Sequence, residues 1–191
     1  MDWNYMVFNY GKFHSNAVNQ IIHIVCVPII IYTWYVMMSN WWPQIELGFE
    51  IPFFGDKIGA GFWINICVST AYFFIDWQVA AAVALWWWPA MALGNVKWLA
   101  HGDELYFGYS QFHFMNIVNI ASWIAQFIGH GVFERRAPAI KTNLAFALLA
   151  PFFITFEVMN SIFGFREGAN MKKLRILIAE DIAEFHGQKK I

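Results

Sequence analysis

Charge is scarce in this sequence. Only 13% of its 191 residues are Asp, Glu, Lys or Arg, while 59% are hydrophobic; soluble domains carry roughly 25% charged residues. Twelve basic and 13 acidic side chains are too few to cover the outside of such a chain against water. A net charge of −1 supplies no basic field for nucleic acid, and no glycine-rich phosphate loop is present, so nucleotide and nucleic-acid binding are set aside. Cysteine is nearly absent: Cys26 and Cys67 both lie inside apolar segments, which excludes a disulfide framework or a thiolate metal site. The start, Met1-Asp2-Trp3-Asn4, lacks the basic stretch of a cleaved signal peptide, so targeting information is expected in the mature chain.

Aromatic residues and long apolar runs are plentiful. Trp and Phe number 11 and 20, and Trp41, Trp42, Trp86, Trp87, Trp88 and Trp98 stand where apolar and polar stretches meet, as at a membrane interface. Ala17 to Met38 has the roughly 20-residue length that crosses a bilayer as helix. Phe62 to Leu93 is too long for one crossing, and Asp76-Trp77-Gln78 divides it into a helical hairpin. Gln111 to Gly129 and Asn143 to Phe163 are further spans, the last with Pro151 expected to bend it. A polar loop from Glu46 to Lys57 and a polar connection from Lys97 to Ser110 separate them. From Asn170 to His186, Leu174, Leu177, Ile178, Ile182 and Phe185 recur at helical spacing among charges, the pattern of an amphipathic surface helix dispensable for the bundle. The predicted fold is therefore all-α: one polytopic transmembrane bundle of four to five spans, with a C-terminal amphipathic helix, forming a single domain over 1–191.

Polar residues inside the spans are the informative ones, because in lipid they are costly and face the bundle interior. At about 100° per residue, Asn16, Asn19, Gln20 and His23 share one face of the first helix. Asn116, Asn119, Trp123, Gln126, His130 and Glu134 share one face of the fourth span if the helix continues through Gly129 and Gly131. Asn65, Ser69 and Asp76, and Glu157, Asn160 and Ser161, repeat the pattern on two others. His130 and Glu134 are four residues apart, and with His23 they would make the two-histidine, one-carboxylate set that suits non-haem Fe(II). His14 can join only if the chain before Asn16 is not part of the first helix. The plainer roles are a helix-end ion pair of Glu134 with Arg135 or Arg136, hydrogen-bond anchors at Asp76 and Glu157, solvated His101 and His186, and a His113 off the stripe.

Two blocks carry a resemblance. The first is Tyr10-x-x-x-His14-x-x-x-x-Asn19-x-x-x-His23-x-x-x-x-Pro28. The second runs from Trp123 through Gln126, Phe127, Gly129-His130-Gly131, Phe133-Glu134 and Arg136 to Pro138-Ala139, followed by Ala150-Pro151, Phe153 and Glu157. In these blocks the sequence resembles the endoplasmic-reticulum 2-hydroxy fatty acid dioxygenases of phytosphingosine breakdown, over most of Tyr10 to Gly164. The resemblance implies a multi-spanning, Fe(II)-dependent enzyme that uses oxygen to shorten a long-chain 2-hydroxy fatty acid by one carbon. His14, His23 and His130 are then the implied metal residues, with Gln126 and Glu134 as catalytic candidates and Asn19 orienting ligands or substrate. Two positions depart from the family pattern: Asn119, where many members carry a further His, and Cys26, where they carry Gly. An amide oxygen is a poorer Fe(II) ligand than an imidazole. Asn119 therefore motivates a second reading, an inactive member acting as accessory subunit of a larger membrane complex, such as a respiratory complex of the mitochondrial inner membrane. Its partners would dock on the aromatic surface and the C-terminal helix.

Overall fold

The computed structural model describes residues 3–101, 105–137 and 145–188. Gly102, Asp103, Glu104, Pro138, Ala139 and Asn143 lie outside the described residues, as do the side chains of Trp98 and His101. The rest is mostly helical: α1 (Trp3–Gly11), α2 (Ala17–Trp41), α3 (Ala60–Ile75), α4 (Trp77–His101), α5 (Gln111–Ile128), α6 (Ala145–Phe163) and α7 (Ala169–Gln188). A π-helical turn, Gly129–Glu134, continues α5. Among the described residues one helix is long and apolar enough to cross a membrane, Ala17–Ser39, while Ala60–Ile75 and Ala147–Phe163 are shorter apolar helices.

Two small antiparallel hairpins interrupt the helices, which corrects the all-α reading of the polar stretches. β1 (Ile45–Ile51) pairs with β2 (Gly55–Ile58), and β3 (Leu105–Tyr106) with β4 (Tyr109–Ser110). In β1, Ile45, Leu47, Phe49 and Ile51 alternate with Glu46, Gly48 and Glu50, a period of two that the stretch's polar, Pro- and Gly-punctuated composition obscures. Lys57 reaches its register partner Glu46 at 2.8 Å. The second hairpin turns through Phe107 and Gly108, both at positive φ, as a two-residue turn matched to strand twist requires.

The described chain divides into two compact units, Val25–Ala125 and Met1–Ile24 with Gln126–Ile191. In the first of these, the Tyr35 ring wedges against two glycines. A Cβ on Gly61 would stand 2.8 Å from that ring, so α3 needs a residue without a side chain there, and one on Gly94 would make a tight contact at 3.2 Å. The fully buried Asn95 carboxamide donates to the Phe54 and Lys57 carbonyls at 2.5 and 2.9 Å, fastening the first hairpin to α4. Between α3 and α4 the chain breaks at Asp76, whose extended backbone (φ −157°, ψ 109°) closes α3. Asp76 Oδ1 accepts the N–H groups of Gln78 and Val79 at 2.9 and 3.2 Å, the N-cap arrangement that starts α4.

In the other unit, α1 packs on α6 through Trp3, edge-on to Phe152 and Phe156, and through Tyr10, stacked on Phe153. α7 does not lie free at a surface. Met171 and Leu174 are buried, and Ile178 sits so close to Gly11 that a Cβ there would meet its side chain at 2.6 Å.

Replacing Asp76 with Ala is expected to cost about 1 kcal/mol through loss of the cap, and Asp76→Asn appreciably less. Reversible unfolding of the two variants beside the parent checks the ranking.

Candidate metal centre

The unit formed by Met1–Ile24 and Gln126–Ile191 brings together three histidines from three different local structures. His14 stands in the link between α1 and α2, where turn hydrogen bonds from Phe13 and His14 back to Tyr10 and Gly11 end the first helix. That link ends at Asn16, whose side-chain oxygen accepts the Val18 N–H at 2.9 Å and caps α2. The chain before Asn16 is thus outside α2, the condition under which His14 can reach the first helix's polar face. His23 lies nearly two turns into α2, and His130 in the π-helical turn.

The three rings meet pairwise edge to face, their centroids 4.6, 4.8 and 4.9 Å apart, and one ligand nitrogen from each lies within 4.8 Å of the others. His14 Nδ1 is 3.1 Å from the Tyr10 carbonyl and His23 Nδ1 is 2.9 Å from the Asn19 carbonyl. A carbonyl can only accept, so each Nδ1 carries the proton and each Nε2 keeps its lone pair. His130 Nδ1 is buried with no hydrogen-bond partner among the described residues. Burial, and secondarily the neighbouring imidazoles of His23 and His130, hold His14 well below the ordinary histidine range. It is neutral at pH 7, the form a metal binds.

Glu134 has a different task from a metal ligand. Its Oε1 accepts the Ser15 N–H at 2.8 Å and the Ser15 hydroxyl at 2.6 Å, and its Oε2 accepts the Asn16 N–H at 2.9 Å and the Asn19 amide at 3.4 Å. Both oxygens are engaged, at the N-terminus of α2, where the helix dipole favours a carboxylate. Arg136 does not pair with it: its guanidinium donates to the Lys12 carbonyl at 3.2 Å and to Asp181 at 2.5 Å. Glu157 accepts the Tyr10 hydroxyl at 3.1 Å. Burial first, and Glu157 second, push the Tyr10 phenol well above its usual range, which keeps it a donor. Gln126 is buried, and its Nε2 has no partner among the described residues. Asn119 belongs to the other unit and donates to the Thr33 hydroxyl at 2.8 Å and the Ile30 carbonyl at 3.2 Å. His113 is exposed beside Ser110. Ser15 was not among the sequence candidates; its signal is the Ser-Asn pair just ahead of an apolar run, a helix-start pattern.

The two glycines beside His130 are not equivalent. A Cβ on Gly129 would collide with the Asn19 side-chain oxygen, whereas one on Gly131 would meet nothing within 4 Å. Gly131→Ala is therefore expected to be neutral or slightly stabilising, since Ala is the better helix former by roughly 1 kcal/mol. Gly129→Ala should displace Asn19, loosen the hold on His23 and Glu134, and lower both stability and metal uptake. Thermal unfolding and bound-metal analysis of the pair check this.

The donor set fits a divalent first-row metal. Three neutral imidazoles converge, two have their tautomer set by backbone carbonyls in the way metal-binding histidines usually do, and the third has a buried nitrogen without a partner. Residues 3–162 match the model of a family described as 2-hydroxy-palmitic acid dioxygenase Mpo1-like. The chain is also similar to the 2-hydroxy-palmitic acid dioxygenase MPO1 of Saccharomyces cerevisiae, with 28% identity over 174 residues, covering 91% of this chain and 85% of the yeast protein. No solved structure matches. All three clustered histidines fall inside the matched segment, and the chain belongs to the Mpo1-like family of 2-hydroxy fatty acid dioxygenases.

Proposed function

We propose that this chain is a membrane-embedded, Fe(II)-dependent dioxygenase that shortens long-chain 2-hydroxy fatty acids by one carbon. The observation that carries the reading is the convergence of His14, His23 and His130 in a member of this family. These three side chains would hold the iron, which when bound supplies the redox chemistry that couples oxygen to oxidation of the substrate.

The protein's own groups have separate tasks. The Tyr10 and Asn19 carbonyls fix which nitrogen of His14 and His23 faces the site. Glu134 acts as a positioning residue, tying the segment that bears His130 to the segment between His14 and His23. Gln126 offers a buried amide donor toward ligands or substrate. α2, the α3–α4 pair, α5 and α6 together supply the four to five membrane spans of this reading, with the endoplasmic reticulum as the membrane. An acyl substrate dissolved in that bilayer would then reach the site without crossing water.

Purified parent protein loaded with Fe(II) is expected to consume oxygen and convert 2-hydroxyhexadecanoic acid to the acid one carbon shorter. His130→Ala should lose most of the metal and essentially all turnover, while Glu134→Gln should weaken metal binding roughly 10- to 100-fold. A parent that binds no iron and turns over no 2-hydroxy acid, and is recovered only with fixed partners, would replace this reading by that of an accessory subunit. A second outcome follows from the neutral state of His14. Its proton affinity is depressed in the fold, so its contribution to stability is complete above the unfolded histidine pKa of about 6.5 and is lost as pH falls below it. The metal-free protein should lose unfolding temperature as pH falls below about 6.5, and His14→Gln should flatten that decline.

A further inference from the structure

Of the three clustered histidines, His14 is the one that no helical segment carries. It stands in the link after α1, and its Nδ1 donates to the Tyr10 carbonyl at 3.1 Å. A single bond of that kind sets the tautomer and does little to fix the plane of the ring. The Tyr10 side chain supplies what is missing. Its ring lies flat on the imidazole, with centroids 4.1 Å apart and planes 8° from parallel. His23 and His130 meet the same imidazole at interplanar angles of 88° and 76°, so among the three neighbouring rings only Tyr10 makes a face-to-face contact.

Tyr10 is itself gripped from α6. Its ring is also stacked on Phe153, with centroids 4.6 Å apart and planes 12° from parallel. Two parallel rings this close cannot share one face of Tyr10, so His14, Tyr10 and Phe153 form a column of three. The Tyr10 hydroxyl donates to Glu157 Oε2 at 3.1 Å, the acceptor that a buried phenol needs. Phe153 and Glu157 are four residues apart and therefore lie on one face of α6. The geometry points to Tyr10 as the positioning residue of His14: its ring fixes the plane of the imidazole, while Phe153 and Glu157 fix Tyr10. By this route α6, which bears none of the three histidines, determines where the His14 lone pair is aimed. That the imidazole so aimed binds a metal rests on the dioxygenase reading.

Positioning can be told from plain packing of α1 on α6, because Trp3 docks the other end of the same helix. Its ring stands edge-on to Phe152 and Phe156, under the Arg166 guanidinium at 4.7 Å, and apart from the column. Loss of Trp3 loosens the helix pair and leaves His14 backed by Tyr10. Tyr10→Phe keeps the column and removes only the hydroxyl, and the Glu157 carboxylate, which lines a cavity beside His14, can then be hydrated. Outer partners that orient metal-binding histidines are worth roughly 10- to 100-fold in metal affinity, which sets the size of the effect.

The test uses the full-length protein in lipid nanodiscs, with NMR of isotope-labelled histidines in the metal-free state and titration with Co(II) as the probe metal. In the metal-free parent the His14 ring protons should resonate upfield, over the Tyr10 face. They should return to ordinary positions in Tyr10→Leu and stay upfield in Tyr10→Phe. Co(II) affinity should fall roughly 10- to 100-fold in Tyr10→Leu and recover in Tyr10→Phe. Phe153→Leu leaves α1 intact and should weaken binding by less, which keeps the test open if Tyr10→Leu does not fold. Trp3→Leu should lower the unfolding temperature and change neither readout. Unshifted His14 protons in the parent, parent-like Co(II) affinity in Tyr10→Leu and Phe153→Leu, or an equal loss in Trp3→Leu would overturn the proposal. Failure of the metal reading shows separately, as a parent that binds no Co(II) while its His14 shift still depends on Tyr10; the positioning role then stands.

Discussion

The buried carboxylate of Glu134 is the constraint on which the rest of the site depends. An ionised carboxyl in an apolar setting must find donors, and this one finds them at the start of α2: the N–H groups of Ser15 and Asn16, the Ser15 hydroxyl and the Asn19 amide. Those residues are separated from it by 115 to 119 positions in the chain. Meeting its needs brings three chain segments together, and each carries a histidine. Ser15 follows His14, the Asn19 carbonyl holds the His23 ring, and Glu134 stands four residues after His130. The contacts of this one carboxylate therefore join the segments that bear the three histidines.

The π-helical turn makes that arrangement compatible with a buried stripe. Along α5 the buried positions run Gln111, Met115, Asn119, Ser122 and Gln126, the i, i+4, i+7 pattern of a single face. Widening of the helix over Gly129–Glu134 continues the face through His130 to Glu134 and leaves Arg135 in a left-handed conformation with φ 54°. π-turns of this kind occur often at functional sites, where they re-aim a side chain that a regular helix would point elsewhere. Gly129 permits the close approach of Asn19, so the same turn that presents His130 also admits the residue that holds His23.

Much of this was legible before the structure, and the reasons are local. A polar residue in an apolar helix has few acceptable directions, so the helical phases of Asn19 with His23, and of Gln126 with His130 and Glu134, coincide with positions that prove buried. The division of α3 from α4 was legible at Asp76 for the same reason, a cap residue inside an otherwise unbroken apolar run. What periodicity could not show was the partner. Glu134, four residues from His130, has the spacing of a ligand, and only the fold reveals that its oxygens are engaged by Ser15, Asn16 and Asn19. Similarly, the stripe of α7 has the pattern of a surface helix. The contacts that dock this helix are with Gly11, Asn160 and Arg136, and periodicity links none of them to that stripe. The first hairpin was missed because its alternation is short and its surroundings read as loop.

The central claim is that His14, His23 and His130 form one metal site, each through a single imidazole nitrogen. Extended X-ray absorption at the iron edge of the Fe(II)-loaded protein tests it most directly, because imidazole rings give a multiple-scattering signature that carboxylates and water do not. The account predicts a first shell of nitrogen and oxygen with scattering from three imidazoles, and loss of most of the bound iron when any one of these histidines is replaced. A shell without imidazole scattering, or one that is the same in the parent and in all three replacements, would contradict it.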